Sequence, residues 1–176
     1  MKSMVDISHE FLKPVLHKQA ICIDATLGQG KDTQFFLSCH VGKVYGFEIQ
    51  KDVFDRVSLT FKENKNVHLF CTGHENMDQF IHESVDAILF NFGYFPNGDT
   101  QITTQSSTSI LAIQKALALL KIKGRMALVL YPHHEGKLES QKIEAFLRKQ
   151  ENLQIYKLEN FLVGNCPYIL MLEKRR

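Results

Sequence analysis

The sequence predicts an α/β protein built on a doubly wound, mostly parallel sheet. Three observations lead there. Short apolar runs of strand length alternate with helical stretches along most of the chain, the pattern that parallel βαβ units produce. One run breaks directly into an acid and a glycine turn, Asp24-Ala25-Thr26-Leu27-Gly28-Gln29-Gly30. The last two runs stand too close together for a helical crossover, so they should pair antiparallel.

The elements follow in order. Residues 6–17 place Ile7, Phe11, Val15 and Leu16 on one side of a short helix that Pro14 shortens or bends. Apolar runs at 20–24, 43–48, 67–71, 85–91 and 125–131 are the first five strands. Helical stretches lie between them at about 32–39, 51–62, 76–81 and 105–120. In the last of these Ile110, Leu111, Ile113, Leu117 and Leu120 recur at helical spacing, and Gly124 marks a turn. A further helix over 137–150 precedes two strands, 153–159 and 168–173. The expectation is a seven-stranded sheet with an antiparallel C-terminal hairpin and helices on both faces.

With 176 residues, 44% hydrophobic and 23% charged, the chain has the composition of a globular protein rather than a disordered one. One domain over 1–176 is expected, with 1–18 as its N-terminal helical segment. No apolar run approaches the roughly 20 residues that cross a bilayer, and the first residues lack a signal-peptide core. A cytoplasmic protein with no membrane partner is the expectation. The net charge of +2 permits a nucleic-acid partner without arguing for one. Cys22, Cys39, Cys71 and Cys166 form no C-x-x-C pair. Cys22 and Cys71 fall in apolar runs and should be buried, reduced thiols; neither a zinc site nor a structural disulfide is expected.

In a doubly wound sheet, ligands lie at the carboxyl ends of the strands. Four groups fall there: Asp24 to Gly30, Glu48-Ile49-Gln50, Thr72-Gly73-His74, and Asn91-Phe92-Gly93-Tyr94. Glu48 stands about 20 residues past the glycine turn, where an acid accepts hydrogen bonds from both hydroxyls of a ribose. The turn itself separates the cofactors. A dinucleotide fingerprint is G-x-G-x-x-G, whereas here Gly28-Gln29-Gly30-Lys31-Asp32-Thr33 has threonine in the third place. Asp24 is awkward beside a pyrophosphate and useful beside a cationic, amino-acid-bearing ligand. S-adenosylmethionine (SAM), with its sulfonium and ammonium, is the expected cofactor.

Asn91-Phe92-Gly93-Tyr94-Phe95-Pro96 ends the fourth strand, where SAM-dependent amine methyltransferases carry motifs of the type Asn/Asp-Pro-Pro-Tyr/Phe. An amine nucleophile needs its N–H groups held by acceptors so that its lone pair lies along the S–CH₃ axis. The Asn91 side-chain oxygen can be one acceptor, and an aromatic ring such as Tyr94 can wall the pocket. The same residue types also make an ordinary turn, with Phe92 or Phe95 in the core. Thr103 and Thr104 face the same rim as substrate contacts or as helix caps. Tyr131, His133 and His134 are candidate proton acceptors, or a solvated loop; adjacent histidines rarely chelate one ion, so no metal is expected.

Together, D-A-T-L-G-Q-G-K-D-T, F-E-I-Q, N-F-G-Y-F-P-N-G-D, I-T-T and Y-P-H-H-E-G-K resemble a family of small bacterial class I methyltransferases long labelled rRNA methylases. The resemblance runs over about residues 5–174. The family includes the enzyme that methylates the 5-aminomethyl group of wobble 2-thiouridine in tRNA. It implies a Rossmann-like class I methyltransferase sheet, a homodimer, and SAM contacts from Gln29, Lys31, Glu48, Gln50, Gly73 and His74. Family members usually carry Asn at the positions of Gln29 and Lys31, and Asp at that of Glu48. They read Y-H-G-H-P-E-G where this chain has the shorter Y-P-H-H-E-G, so either His133 or His134 takes the family position.

The full expectation joins both lines of argument. Asp24, Gly28, Gln29, Gly30, Lys31, Glu48, Gln50, Gly73, His74 and Asn91 bind SAM. Asn91, Tyr94, Tyr131 and His133 form the reacting end, and Phe92, Gly93, Thr103, Thr104 and His134 meet the substrate, the anticodon loop of a tRNA. Lys13, Lys18, Arg125, Lys137 and Arg148 are available for its phosphates. Methylation of rRNA or of a small-molecule amine is the alternative, and a non-catalytic nucleotide- or RNA-binding module a more distant one.

Overall fold

A computed structural model describes residues 1–92, 106–132, 135–164 and 166–176. Its seven strands are β1 (Ile21–Asp24), β2 (Lys43–Phe47), β3 (Val67–Phe70), β4 (Val85–Asn91), β5 (Leu120–Leu130), β6 (Leu153–Leu158) and β7 (Tyr168–Lys174). The helices are α1 (Met4–Leu12), α2 (Lys31–Ser38), α3 (Lys51–Phe61), α4 (Ser106–Leu119) and α5 (Glu135–Leu147). Single 3₁₀ segments at Lys13–Val15 and His74–Gln79 complete the list. The sheet order is β3-β2-β1-β4-β5-β7-β6. The first five strands run parallel, and β7 pairs antiparallel with both β5 and β6. The strand order reverses between β1 and β4, so the crevice outside their carboxyl ends is where this sheet receives a ligand.

Alternation along the strands sorts the core into two layers. Ile23, Phe47, Ile88, Phe90 and Leu128 point to one face, against Ile113 and Ala116 of α4, Ile143 and Leu147 of α5, and Met77. Cys22, Val44, Ala87, Leu89 and Ala127 point to the other, against Leu12 of α1 and Phe36 of α2. Cys22, Ala87 and Ala127 on this second face are small, leaving room for the side chains of α1 and α2 to pack against the sheet. Ser3 caps α1 in a reciprocal capping box with Asp6. No helix among the described residues is long and apolar enough to cross a membrane.

Two expectations change. Gly124 does not separate a helix from a strand beginning at 125; α4 runs straight into β5 at Leu120. Val85 pairs with Leu120 and Ala87 with Arg125, so residues 121–124 bulge out opposite Asp86 alone. Lys123 takes φ 66 there, and a Cβ on Gly124 would lie 2.9 Å from Leu120 Cδ1. Lys121 ties the bulge down by donating to both carboxylate oxygens of Asp86. Cys22 is buried as expected, but Cys71 is exposed, because it sits just past the end of the edge strand β3.

Candidate functional site

The glycine turn is built around Asp24. This carboxylate is wholly buried at the end of β1. Its Oδ2 accepts from Thr33 Oγ1 at 2.7 Å. Its Oδ1 is the one buried side-chain polar atom among the described residues without a partner. Burial pushes the Asp24 carboxyl up to about 7; the negative charge of Asp32 adds to this, and the Thr33 hydroxyl, with the Thr26 and Thr33 amides, opposes it. Gly28 and Gly30 take φ 48 and 75, the left-handed region that favours glycine. Gly30 is also the N-cap of α2, and a Cβ there would lie 2.5 Å from Phe61 Cε2 on α3. Glycine at 30 is therefore required by backbone sign and by packing on α3. Gln29 and Lys31 stand exposed on either side of it.

Glu48 joins two of the strand-end loops. Its Oε2 accepts from the Gly28 amide at 3.1 Å and its Oε1 from the Gln50 amide at 2.8 Å. Glu48 and Gln50 are both nearly buried, and burial raises the Glu48 carboxyl against the pull of those amides. The Ile49 amide also bonds this carboxylate, and the acceptor capacity left over suits a neighbouring hydroxyl.

His74 and Thr26 bind the remaining ends to the first turn. His74 Nδ1 lies 3.1 Å from the Ala25 carbonyl oxygen. A carbonyl only accepts, so Nδ1 carries the hydrogen. Burial lowers the His74 pKa, which leaves the ring neutral, with Nε2 as an acceptor. Its ring meets Phe90 and Phe92 edge-on. Thr26 Oγ1 accepts from the Asn91 amide at 2.8 Å, and the Phe92 amide donates to Val129. Asn91 is thereby fixed beside Asp24's loop.

The structure places two more of the expected residues. Phe92 is 1% exposed and stacked on Phe90, with ring centroids 5.1 Å apart. Its ring packs in the core under the strand end, the alternative that the turn reading offered. Tyr131 is half-buried at the end of β5, and desolvation, then the Asp32 charge, raises its pKa. With Lys2, Ser3, Asn160 and Cys166 it lines a cavity of about 310 Å³. Gly93, Tyr94, Thr103, Thr104, His133 and His134 lie outside the described residues. The basic side chains expected to meet phosphates are partly committed: Lys13 pairs with Glu10, Arg125 with Glu173 and Arg148 with Glu144.

Asp24, Gly28, Glu48, Gln50, His74 and Asn91 thus converge at the switch point. Thr26, Thr33 and the pair His9–Asp32 were missed. Thr33 was visible as the residue replacing a third glycine, but only the fold shows its hydroxyl on Asp24. Nothing in the sequence couples His9 to Asp32. The site fits SAM: the Asp24 carboxylate lies beneath the turn where a cationic amino-acid end would sit, and the Glu48 carboxylate suits a ribose.

The comparisons agree. A family model described as "Putative rRNA methylase" matches residues 44–174. The chain is 34% identical, over 82% of its length, to the chloroplastic tRNA (mnm(5)s(2)U34)-methyltransferase of Arabidopsis thaliana, of which it spans 59%. It is 32% identical to a solved rRNA-methylase from Clostridium thermocellum, with a TM-score of 0.92 over 99% of this chain and 98% of that one. A methyltransferase from Streptococcus mutans, solved in complex with SAH, is 33% identical with a TM-score of 0.89 over 99% of both chains.

Proposed function

From the premise that this chain belongs to the rRNA methylase family of class I SAM-dependent methyltransferases, we propose that it N-methylates the 5-aminomethyl group of wobble (2-thio)uridine in tRNA, giving the 5-methylaminomethyl form. The observation that carries the substrate is the 34% identity to a methyltransferase named for that nucleoside. The ligand-facing chemistry supports it, since Asn91 at the end of β4 offers an acceptor for an amine N–H.

When bound, SAM supplies an electrophilic methyl group on its sulfonium. The chain's own residues do the rest. Glu48 holds the amides of Gly28 and Gln50 and would accept from the ribose. Asp24, buried at the end of β1, would supply negative charge beneath the turn for the cationic amino-acid end. His74 locks the loop after β3 onto the first turn. Asn91, fixed through Thr26, accepts an amine hydrogen so that the nitrogen lone pair faces the methyl group. Tyr131 donates or accepts at the rim as a neutral phenol. Tyr94 walls the pocket, His133 takes the proton that the amine sheds, and Gly93, Thr103, Thr104 and His134 meet the nucleotide. Gln29, Lys31 and Gly73 complete the cofactor contacts. The protein acts in the cytoplasm as one domain over 1–176 and as a homodimer; the exposed apolar side chains of Phe161, Leu162 and Val163 between β6 and β7 support a self-associating surface.

Incubation with SAM and tRNA that carries 5-aminomethyl-2-thiouridine tests the reading. Mass spectrometry of the wobble nucleoside should show one added methyl group; an unchanged nucleoside overturns it. The family description favours a second reading, methylation of rRNA. Transfer of labelled methyl to rRNA and not to tRNA would establish that one instead.

A further inference from the structure

We propose that the cavity between the N-terminal turn of α1 and the segment joining β6 to β7 is a subsite for the nucleotide next to the one that is methylated in the RNA. The inference rests on the RNA reading above.

The cavity adjoins the reacting end. Side chains alternate along a strand, so Asp24 on β1 and Asn91 on β4 share the sheet face of Cys22, Leu89 and Ala127. Tyr131, four residues past Ala127, continues that face just beyond β5. β1, β4 and β5 are neighbours in the sheet, so Asp24, Asn91 and Tyr131 form a row that leads from the cofactor to the cavity. Asn91 pairs with Val129. Strands about 4.8 Å apart that rise about 3.3 Å per residue put the Tyr131 backbone roughly 8 Å from that of Asn91. Tyr131 then walls the cavity of about 310 Å³, with Met4 and Val5 on one side and Asn160 and Pro167 on another.

These walls are held from outside the cavity. Arg125 donates to the Phe11 carbonyl and lies over the Phe11 ring, which fixes α1 on β5. Ser3 and Asp6 cap each other at the start of α1. Leu130 pairs with Tyr168, so Pro167 is seated beside Tyr131. Asn160 Oδ1 accepts from the amides of Leu162 and Val163, while its NH₂ keeps two donors.

The lining matches one nucleotide. Tyr131, Met4, Val5 and Pro167 are partly exposed and offer flat or apolar contact. The Asn160 NH₂ and the Tyr131 hydroxyl can meet the polar edge of a base. Lys2 stands at the cavity with its charge in a loose, exposed pair with Glu10 at 3.5 Å, a partner readily exchanged for a phosphate. An apolar slot with a few edge donors and a cation is how an unstacked RNA base is held. The volume is near the lower bound of about 300 Å³ for ligand pockets, which suits one base and not a stacked pair.

The test is steady-state methylation of an RNA stem-loop that carries 5-aminomethyl-2-thiouridine, compared with stem-loops abasic at its 5′ or its 3′ neighbour. For the wild type, one of the two abasic RNAs should raise KM about tenfold, with kcat within about threefold. Lys2→Glu, at an exposed position, should raise KM for the intact RNA about tenfold and leave SAM affinity unchanged. Asn160→Ala should raise KM for the intact RNA severalfold and add less than about twofold on that abasic RNA, because the base it meets is already gone. If Asn160→Ala loosens the turn it caps, Cys166→Trp, which fills the cavity, takes its place in the same comparison. Wild-type KM in Lys2→Glu overturns the inference, as does an Asn160→Ala loss that is equal on intact and abasic RNA. A fall in SAM affinity in Lys2→Glu overturns it too, since the cavity would then serve the cofactor. A wild type that methylates neither tRNA nor rRNA instead overturns the RNA reading, and the subsite with it.

Discussion

Asp24→Asn removes the charge at the centre of the glycine turn with almost no change in shape. In the unfolded chain an aspartate titrates near 3.9; in the fold, burial and Asp32 push Asp24 up to about 7. The folded state therefore binds this proton more tightly. The stability Asp24 contributes is full below about pH 3.9 and is lost as pH rises through about 7. Three pKa units correspond to a ceiling of about 4 kcal/mol, of which about 3 kcal/mol falls between pH 5 and pH 8.5. Asparagine never charges. Its NH₂ inherits the place of the unpartnered Oδ1 at a cost of about 1–3 kcal/mol, but that cost does not vary with pH. Without cofactor, the stability of Asp24→Asn relative to wild type should thus rise by about 3 kcal/mol from pH 5 to pH 8.5, read by urea denaturation at each pH. The same variant should lose most of its SAM affinity. A stability difference that stays flat across this range would refute the placement of an ionisable, desolvated carboxylate at this strand end.

Three other substitutions probe the frame around it. Gly30→Ala places a Cβ 2.5 Å from the Phe61 ring at φ +75, and should cost about 2–4 kcal/mol in urea denaturation; a loss under about 1 kcal/mol would mean that α3 yields. Glu48→Gln turns an NH₂ toward the Gly28 or Gln50 amide, one donor against another. SAM affinity should fall about 10- to 100-fold by calorimetry, and an unchanged affinity would remove Glu48 from the ribose. His74 has a lowered pKa in the fold, so its contribution is present above the unfolded value near 6.5 and is lost as pH falls below it. His74→Gln should flatten the loss of stability between pH 6.5 and pH 5; an unaltered slope would show that His74 takes up its proton in the fold as readily as in the unfolded chain.

Local pattern and tertiary meeting were not equally legible. The run at 85–91 became β4 at the same limits, since seven apolar-rich residues buried on both faces have no other period to obey. Asp24, Glu48 and His74 were visible because each follows a strand, and parallel strands bring their ends together. The bulge before Arg125 was not visible, because it depends on Lys121 reaching Asp86, 35 residues away. Thr33 could be recognised only as something other than glycine; its hydroxyl on Asp24 needs α2 folded back over β1. Phe92 and Tyr131 were placed at strand ends by the pattern, but how deeply each ring is buried depends on side chains packed from other elements. His9 and Asp32 are 23 residues apart, and no motif spans them.

The place of β7 in the sheet bears on how the protein is made. α1 precedes β1 to β7 in the chain, and its Met4, Ile7, Phe11 and Leu12 pack in one cluster with Ile169 and Met171 of β7. Arg125 of β5 clasps the Phe11 carbonyl from the same side. β6, although made earlier, reaches the sheet only through β7. Until the residues of β7 have been added, β5 presents an open edge, β6 has no neighbour and α1 lacks part of its seat. The half of the sheet from β1 to β5 can assemble during translation, while α1 completes its seat only once β7 has been made.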